Sequence, residues 1–401
     1  MKLTLNFLII LFTGLVIMSC QDDPTSIGST IIPPDDLVDI DTLDNNNFNY
    51  YTSFKAVKDD SVDIGGATNL LLGNYENIKS SILVKYYIYL ADSLSEAFDA
   101  SGNGLNVLDA WVELDRSYLL GDAAAAFDFS VHKVNAEWYP NKFNSDSLNM
   151  LKNDIELSVD QRVGSFAIDD SIMSFHINNS MALEWLQNSV ADSIADNYGI
   201  FITPTAATAK ILGFYGLSSL NVDNLSRVKM IVEKPGEFID TVTSTVSGDV
   251  HVNEWSEPAT FEKKVVVQAG IPKRGILKVN LDNLPGGIII NNARLTLSYD
   301  ETLSSLGDPE VSKLYAGLLS DSTTFSINDT FGIIQFDKDG NKYSGDITTF
   351  VQQWQNGAEN MGLKIYIAND ISSASKIVFH GPDAENSDLV PNIVITYTAQ
   401  R

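Results

Sequence analysis

The chain is 401 residues long and carries 26 Lys plus Arg against 52 Asp plus Glu, a formal net charge of −26, with a single cysteine. Binding nucleic-acid phosphates requires clustered basic side chains, and no basic stripe occurs, so nucleic acid is excluded as a partner class. One cysteine excludes an internal disulfide framework, and a polyanionic glycan is repelled unless a local basic site or a divalent cation intervenes, which leaves neutral or weakly charged ligands.

At the N-terminus, Lys2 precedes an apolar run from Leu5 to Met18, broken only by Asn6, Thr13 and Gly14, and the run ends in Ser19-Cys20. A short positive segment followed by an apolar stretch too brief to span a bilayer comfortably predicts an export signal over residues 1–19. The context Val16-Ile17-Met18-Ser19-Cys20 resembles the bacterial lipoprotein box, which implies acylation of Cys20 on sulfur and its use as the new N-terminus. Gln21-Asp22-Asp23 resembles the acidic signal that sends Bacteroidota lipoproteins to the outer face of the outer membrane. The expected lipid partner is therefore the outer membrane, with display at the cell surface; a periplasm-facing anchor is the alternative. From Pro24 to Asn49 the chain is rich in Asp, Asn, Pro, Ser and Thr, and such a composition buries too little apolar area to offset its ordering entropy. Residues 20–48 read as the lipidated cysteine and a flexible tether.

The remainder repeats one pattern twice. Ser81–Ile88 and then Leu108–Leu114 read as strands, the second with Ala110, Val112 and Leu114 on one face; Gly275–Leu281 and Ile290–Tyr299 fill the same places later, with Ala293, Leu295, Leu297 and Tyr299 alternating. Ile347, Phe350, Val351 and Trp354 stand at i, i+3, i+4, i+7, one face of a two-turn helix, and Ile177, Met181, Ala182 and Trp185 form a comparable stripe. A Gly then opens a strand in each copy (Gly199, Gly362), a Phe-aromatic-Gly step follows (Phe214-Tyr215-Gly216, Phe379-His380-Gly381), and Arg227–Val232 or Asn392–Tyr397 closes the unit. Lys234-Pro235-Gly236-Glu237 lies between the copies and marks a boundary. Many short strands with turn residues between them and very little helix predict an all-β chain: two tandem antiparallel jelly-roll-like β-sandwiches, the first over 49–234, a linker over 235–240 and the second over 241–401. Longer insertions fall in the first copy, around Ala91–Gly104 and Asn141–Asp160.

The second copy resembles the DNRLRE-type domain, a β-sandwich of secreted bacterial proteins similar to some carbohydrate-binding modules. The residues that carry the resemblance are Arg274-Gly275-Ile276-Leu277-Lys278, Leu284-Pro285, Asp346-Ile347-Thr348 with Val351, Trp354, Gly357, Asn360 and Gly362, and Pro391–Tyr397. The first copy follows the pattern more loosely, with Ser226 where Pro391 stands. The resemblance implies sugar binding or surface attachment; its motif residues belong to the scaffold and identify no ligand site.

A hydrolytic triad or metal centre requires His, Cys or paired carboxylates brought together. The four histidines, His132, His176, His251 and His380, occur in unrelated contexts without metal-ligand spacing, which points to a non-enzymatic chain. Calcium is weighed on two oxygen-rich turns: Asp99–Gly104 has Ala110 where a bidentate Glu belongs, and Asp337–Asn341 places its Gly too early, so both fit hairpin turns better than cation loops. No cofactor is expected. Exposed aromatics are the usual platform for sugar rings. Trp111, Trp185 and Trp354 lie on apolar stripes and are assigned to the core. Trp138 alternates with Val134 and Ala136, which favours the core, and this leaves Tyr139 and Trp255 as the better ligand-binding candidates, with Trp138 behind them. The expected function is a non-enzymatic surface lipoprotein that binds carbohydrate or another extracellular ligand; the alternative is a structural, adhesion or accessory subunit of a surface protein complex.

Overall fold

The computed structural model describes residues 40–44, 51–59, 66–97, 104–141, 143–169, 171–190, 197–281, 284–368 and 370–399. The export signal, Cys20, the tether up to residue 39 and most of the turn begun by Asp99 lie outside the described residues.

The strands of the first half are β1 (Ile40–Leu43), β2 (Tyr51–Lys58), β3 (Asn69–Tyr75), β4 (Ile78–Tyr86), β5 (Asn106–Leu120), β6 (Phe129–Lys133), β7 (Arg162–Ile168), β8 (Ile172–Ile177), β9 (Ile200–Pro204), β10 (Ile211–Tyr215), β11 (Arg227–Lys234) and β12 (Phe238–Trp255). Those of the second are β13 (Lys264–Gln268), β14 (Lys273–Val279), β15 (Ile288–Ser298), β16 (Lys313–Leu318), β17 (Ile333–Asp339), β18 (Lys342–Asp346), β19 (Leu363–Ile367), β20 (Lys376–His380) and β21 (Asn392–Ala399). Every strand pairing among the described residues is antiparallel, and the all-β sandwich class expected from the alternation is the one observed.

In the first unit β3 pairs with β4 and β10, β4 with β9, β9 with β6, β5 with β8, β10 and β11, and β7 with β8. Strands β13 to β21 reproduce each of these pairings, that of β5 with β10 through a single bridge between Tyr299 and Phe379, and add a pairing of β16 with β17. Hydrophobic cores form inside each unit: Ile82, Val112, Phe129, Phe175 and Met230 in the first, Leu277, Leu295, Phe336, Phe350 and Ile393 in the second. The helix Asn179–Val190 buries Met181, Ala182, Trp185 and Leu186, and the helix Thr348–Gln355 buries Phe350, Val351 and Trp354, as their spacing predicts.

The two units exchange strands. Between β4 and β11 of the first unit runs β12, which pairs with β11 along its first half and β4 along its second. The corresponding place in the second unit is taken by β1, paired with β21, and β2, paired with β14. The registers correspond: Asp41 faces Tyr397 and Leu43 faces Ile395, while Asp240 faces Val232 and Val242 faces Met230. Even the sequences agree, Ile40-Asp41-Thr42-Leu43 against Ile239-Asp240-Thr241-Val242. Thus the segment ahead of the first unit completes the second, and the segment ahead of the second completes the first.

This corrects the boundaries read from sequence. Ile40–Leu43, assigned to the tether, form a strand, and Tyr51–Lys58, assigned to the first sandwich, pair inside the second. Residues 235–240 are no linker: Lys234 faces Phe238 across a tight hairpin with Gly236 at φ +81°, so the chain reverses into the same unit and crosses over only after Trp255. The Pro-Gly pair signalled a turn, and a hairpin turn and a domain boundary share that composition.

The units meet through an apolar cluster of Leu71, Ile78, Tyr118, Leu120, Ile211, Ile271 and Ala374. Polar links surround it: Leu119 and Asp308 exchange backbone hydrogen bonds at 2.8 Å, Asn253 Nδ2 donates to Gly270 O at 2.8 Å, and Lys376 pairs with Glu76 at 2.5 Å. Phe54 of β2 is buried in the second core, 5.9 Å from the Phe379 ring, and Asp59 just beyond it pairs with the buried Lys364. Phe54→Ala is therefore expected to destabilise the second unit by about 3–5 kcal/mol. Hydrogen exchange monitored by mass spectrometry should lose protection over β14, β19 and β21 while β3 to β12 stay protected; equal loss in both units contradicts the exchange.

One face of β12 carries Asp249, His251 and Asn253 into the interior, opposite Val84, Ile82 and Ser80. His251 is fully buried with neither ring nitrogen hydrogen-bonded, and desolvation lowers its pKa from 6.5 to about 3. Burial raises Asp249 to about 6, against a hydrogen bond from the Leu217 amide. As pH falls from 6.5 towards 3 the unfolded chain takes up a proton that folded His251 refuses, so stability is lost on acidification. Asp249 acts in the opposite sense, since the folded state holds its proton between the ordinary carboxylate value and about 6. His251→Leu should therefore be at least as stable as the parent at pH 7 and retain more stability at pH 4, by up to roughly 3 kcal/mol. Urea unfolding at both pH values measures this; an unchanged acid response refutes it.

Candidate functional site: an exposed tyrosine row

Beyond Tyr86 the chain keeps the alternation of β4. Tyr86, Ile88 and Leu90 are buried, while Tyr87 is 51% and Tyr89 67% exposed. The Tyr87 amide still donates to Thr245 O at 3.1 Å, which holds the segment extended beside β12. Lys85, Tyr87 and Tyr89 thus project from one side, about 7 Å apart from each to the next. Tyr139, 64% exposed, stands beside the row: the Lys85 ammonium lies 5.6 Å from its ring centroid and 5.1 Å from that of Trp138, and donates to Trp138 O at 3.1 Å. Desolvation lowers the Lys85 pKa, opposed by Glu137. Glu137 hydrogen-bonding to the Tyr139 hydroxyl raises that group's pKa.

Sequence insertion explains why Trp138 and Tyr139 part company. Residues 134–155 fold over the outer side of β4, β9 and β12, and Trp138, Phe143, Leu148 and Leu151 cover Leu83, Phe201, Val250 and Val252. Asn144 caps the short helix Ser145–Leu151 through its side-chain oxygen, which accepts from the Asp146 and Ser147 amides at 3.0 Å. Trp138 is 3% exposed, its indole N–H satisfied by Tyr198 O at 2.8 Å, so it belongs to the core. Its ring nevertheless forms the floor on which Lys85 is held.

Compared with known proteins, the chain matches no family model and no curated protein. Trp255 is not brought to Tyr139: it ends β12 and packs on the apolar cluster between the units, with Lys58 5.9 Å from its ring. Trp185 and Trp354 are buried as expected, but Trp111 is not a core residue. It lies on the outer face of β5, because Ala110, Val112 and Leu114 take the inner one. There its indole N–H donates to Glu113 at 2.9 Å, Lys229 sits 5.9 Å from its ring, and His176 pairs with Asp109 at 2.7 Å. Burial would push the Glu113 pKa up, but hydrogen bonds from Lys229, Trp111 and Arg227 outweigh it and hold the carboxyl at about 2. Among the described residues no group of three or more His, Cys, Asp or Glu is placed to hold a metal ion, and Asp337–Asn341 forms the β17–β18 hairpin with Gly340 at φ +55°.

Tyr87 and Tyr89 were within reach of sequence reasoning: the run Lys85-Tyr86-Tyr87-Ile88-Tyr89-Leu90 alternates throughout, and its outward members are aromatic. The expected contrast between neighbours is direct. Trp138→Ala should cost about 3–5 kcal/mol in chemical unfolding, whereas Tyr139→Ala should stay within about 0.5 kcal/mol of the parent; similar losses for both contradict the assignment.

Proposed function

We propose that the protein is a non-enzymatic, surface-anchored lipoprotein whose first sandwich binds carbohydrate on the tyrosine row. The observation that carries this reading is the exposure of Tyr87, Tyr89 and Tyr139 around Lys85 on a folded sheet surface. Tyrosine presents a rigid apolar face for sugar C–H groups and a hydroxyl for hydrogen bonding, at low entropic cost because few torsions are frozen. Isolated exposed hydrophobics need no explanation, but several in one row with a charged rim mark an interaction surface. A single ammonium and a neighbouring carboxylate leave the row close to neutral, in keeping with an uncharged polymer on a chain of net charge −26.

The anchoring half of the proposal rests on Ser19-Cys20 and the acidic residues after it. Incorporation of labelled fatty acid, lost in Cys20→Ser, and protease accessibility on intact cells test it separately. For the ligand, affinity electrophoresis against neutral polysaccharides should show retardation that falls at least tenfold in a Tyr87→Ala, Tyr89→Ala, Tyr139→Ala triple variant with unchanged unfolding behaviour. Retention by no polysaccharide, together with stoichiometric recovery of a surface protein, would turn the reading to an accessory subunit.

A further inference from the structure

At one end of the second sandwich, a cleft of about 640 Å³ opens between the loop leading into β15 and the C-terminal turn of the helix Thr348–Gln355. Leu284 and Pro285 line one side, and Trp354, Gln355, Asn356 and Asn360 the other. Gln355 Nε2 ties the sides together by donating to Ile288 O at 2.8 Å. Among the described residues the lining contains no Asp, Glu, Lys, Arg or His, although nearly a fifth of the chain is charged.

Two buried atoms of residues that line the cleft have no hydrogen-bond partner among the described residues: Nε1 of Trp354, a residue 7% exposed, and Oδ1 of Asn360. Leaving such groups unpaired costs about 1–3 kcal/mol each, so their persistence calls for an explanation.

The first unit supplies an internal control. Asn197 stands two residues before Gly199 as Asn360 stands before Gly362, and each donates from Nδ2 to the last carbonyl of the facing strand, Tyr86 O or Val279 O. In the first unit the Asn197 oxygen accepts from the Gly199 amide at 3.0 Å, and the Tyr86 ring lies 6.1 Å from Trp185. The second unit has Val279 in place of Tyr86, and the Asn360 oxygen has no partner among the described residues. One scaffold position is thus closed in the first copy and open in the second.

We propose that this cleft is a second ligand site, taking one or two units of a neutral saccharide. A sugar hydroxyl, or an ordered water that it holds, is at once donor and acceptor and suits both orphan atoms. The amides of Gln355 and Asn356 add hydrogen-bonding capacity without charge, and the Trp354 ring with Leu284 and Pro285 gives an apolar wall, the mixture of mostly apolar surface and few polar groups typical of small-ligand sites. The inference deepens the carbohydrate reading above and rests on it for the ligand class, but it stands on residues outside the tyrosine row.

The test uses the full chain in detergent, titrated with neutral gluco-, manno-, galacto- and xylo-oligosaccharides while the five tryptophan indole N–H resonances are followed by NMR. Trp354→Phe assigns the Trp354 signal. One saccharide series is expected to shift it, and calorimetry in the triple tyrosine background should find that saccharide bound about tenfold more weakly when Trp354→Phe is added, the loss of one hydrogen bond. Gly286→Tyr, where an added Cβ meets nothing within 4 Å, should fill the cleft without disturbing the fold and abolish the shift. The triple tyrosine variant should leave it intact. A Trp354 signal unmoved by every neutral saccharide while the tyrosine row still binds overturns this site alone; no binding at either place overturns both readings. A shift that vanishes with the tyrosines, or that only charged saccharides produce, also overturns it.

Discussion

A β-sheet with an unfilled place between two strands exposes two rows of backbone donors and acceptors, and that is the constraint on which this molecule is built. Each unit has such a place, between β4 and β11 in the first and between β14 and β21 in the second. Each is filled by a segment that the chain order assigns to the other unit. The covalent path therefore runs from β1 and β2 in the second unit, through the whole of the first, and back. The shared apolar cluster around Tyr118 and Ile271 joins the two units.

This path has a consequence for an anchored protein. The first unit is continuous in sequence from β3 to β12, whereas the second is assembled from segments that flank it. A lipid on Cys20 would thus be joined most directly to the C-terminal sandwich, through β1 and β2, and not to the first sandwich that follows it in sequence. The tyrosine row lies on the first unit, whereas β1 and β2 lie in the second.

Much of the scaffold was legible in the sequence. The alternation of Ala110, Val112 and Leu114, the helical stripes ending in Trp185 and Trp354, and the equal interval from Phe214 to Val228 and from Phe379 to Ile393 report local periodicity, which strands and helices express directly. Strand exchange was not legible from periodicity, because a strand has the same two-residue repeat whichever sheet it joins. The matching Ile-Asp-Thr steps at Ile40 and Ile239 were the available signal, since a repeat that begins at both points places the unit boundary ahead of β12 while the hairpin at Gly236 keeps β12 in the first unit. Of the candidate residues, Tyr139 is exposed, Trp138 is core because the insertion folds over the sheet, and Trp255 is taken up by the contact between units. Trp111 failed for a specific reason: it lies in an apolar run, but its inner neighbours Ala110 and Val112 already fill that face.

Side-chain volume and buried charge both favour the observed partner of each exchanged strand. Gly275 of β14 faces Ala56, and the neighbouring Phe54 ring leans over it so closely that a Cβ there would lie 2.8 Å from Phe54 Cε2. The corresponding residue of β4 is Ile82, which faces His251 in the same register. Were β2 placed beside β4, Phe54 would meet the branched side chain of Ile82 where it now meets none, an overpacking that costs typically 1–3 kcal/mol. Were β12 placed beside β14, Asp249 would stand where Phe54 fills the second core, a buried carboxylate in place of an aromatic ring. The buried pair of Asp59 with Lys364 acts in the same direction, for the strand that carries Asp59 is also the one that neutralises Lys364. Backbone pairing alone would accept either strand in either place; the glycine, the phenylalanine and the paired charges make the observed exchange the lower in free energy.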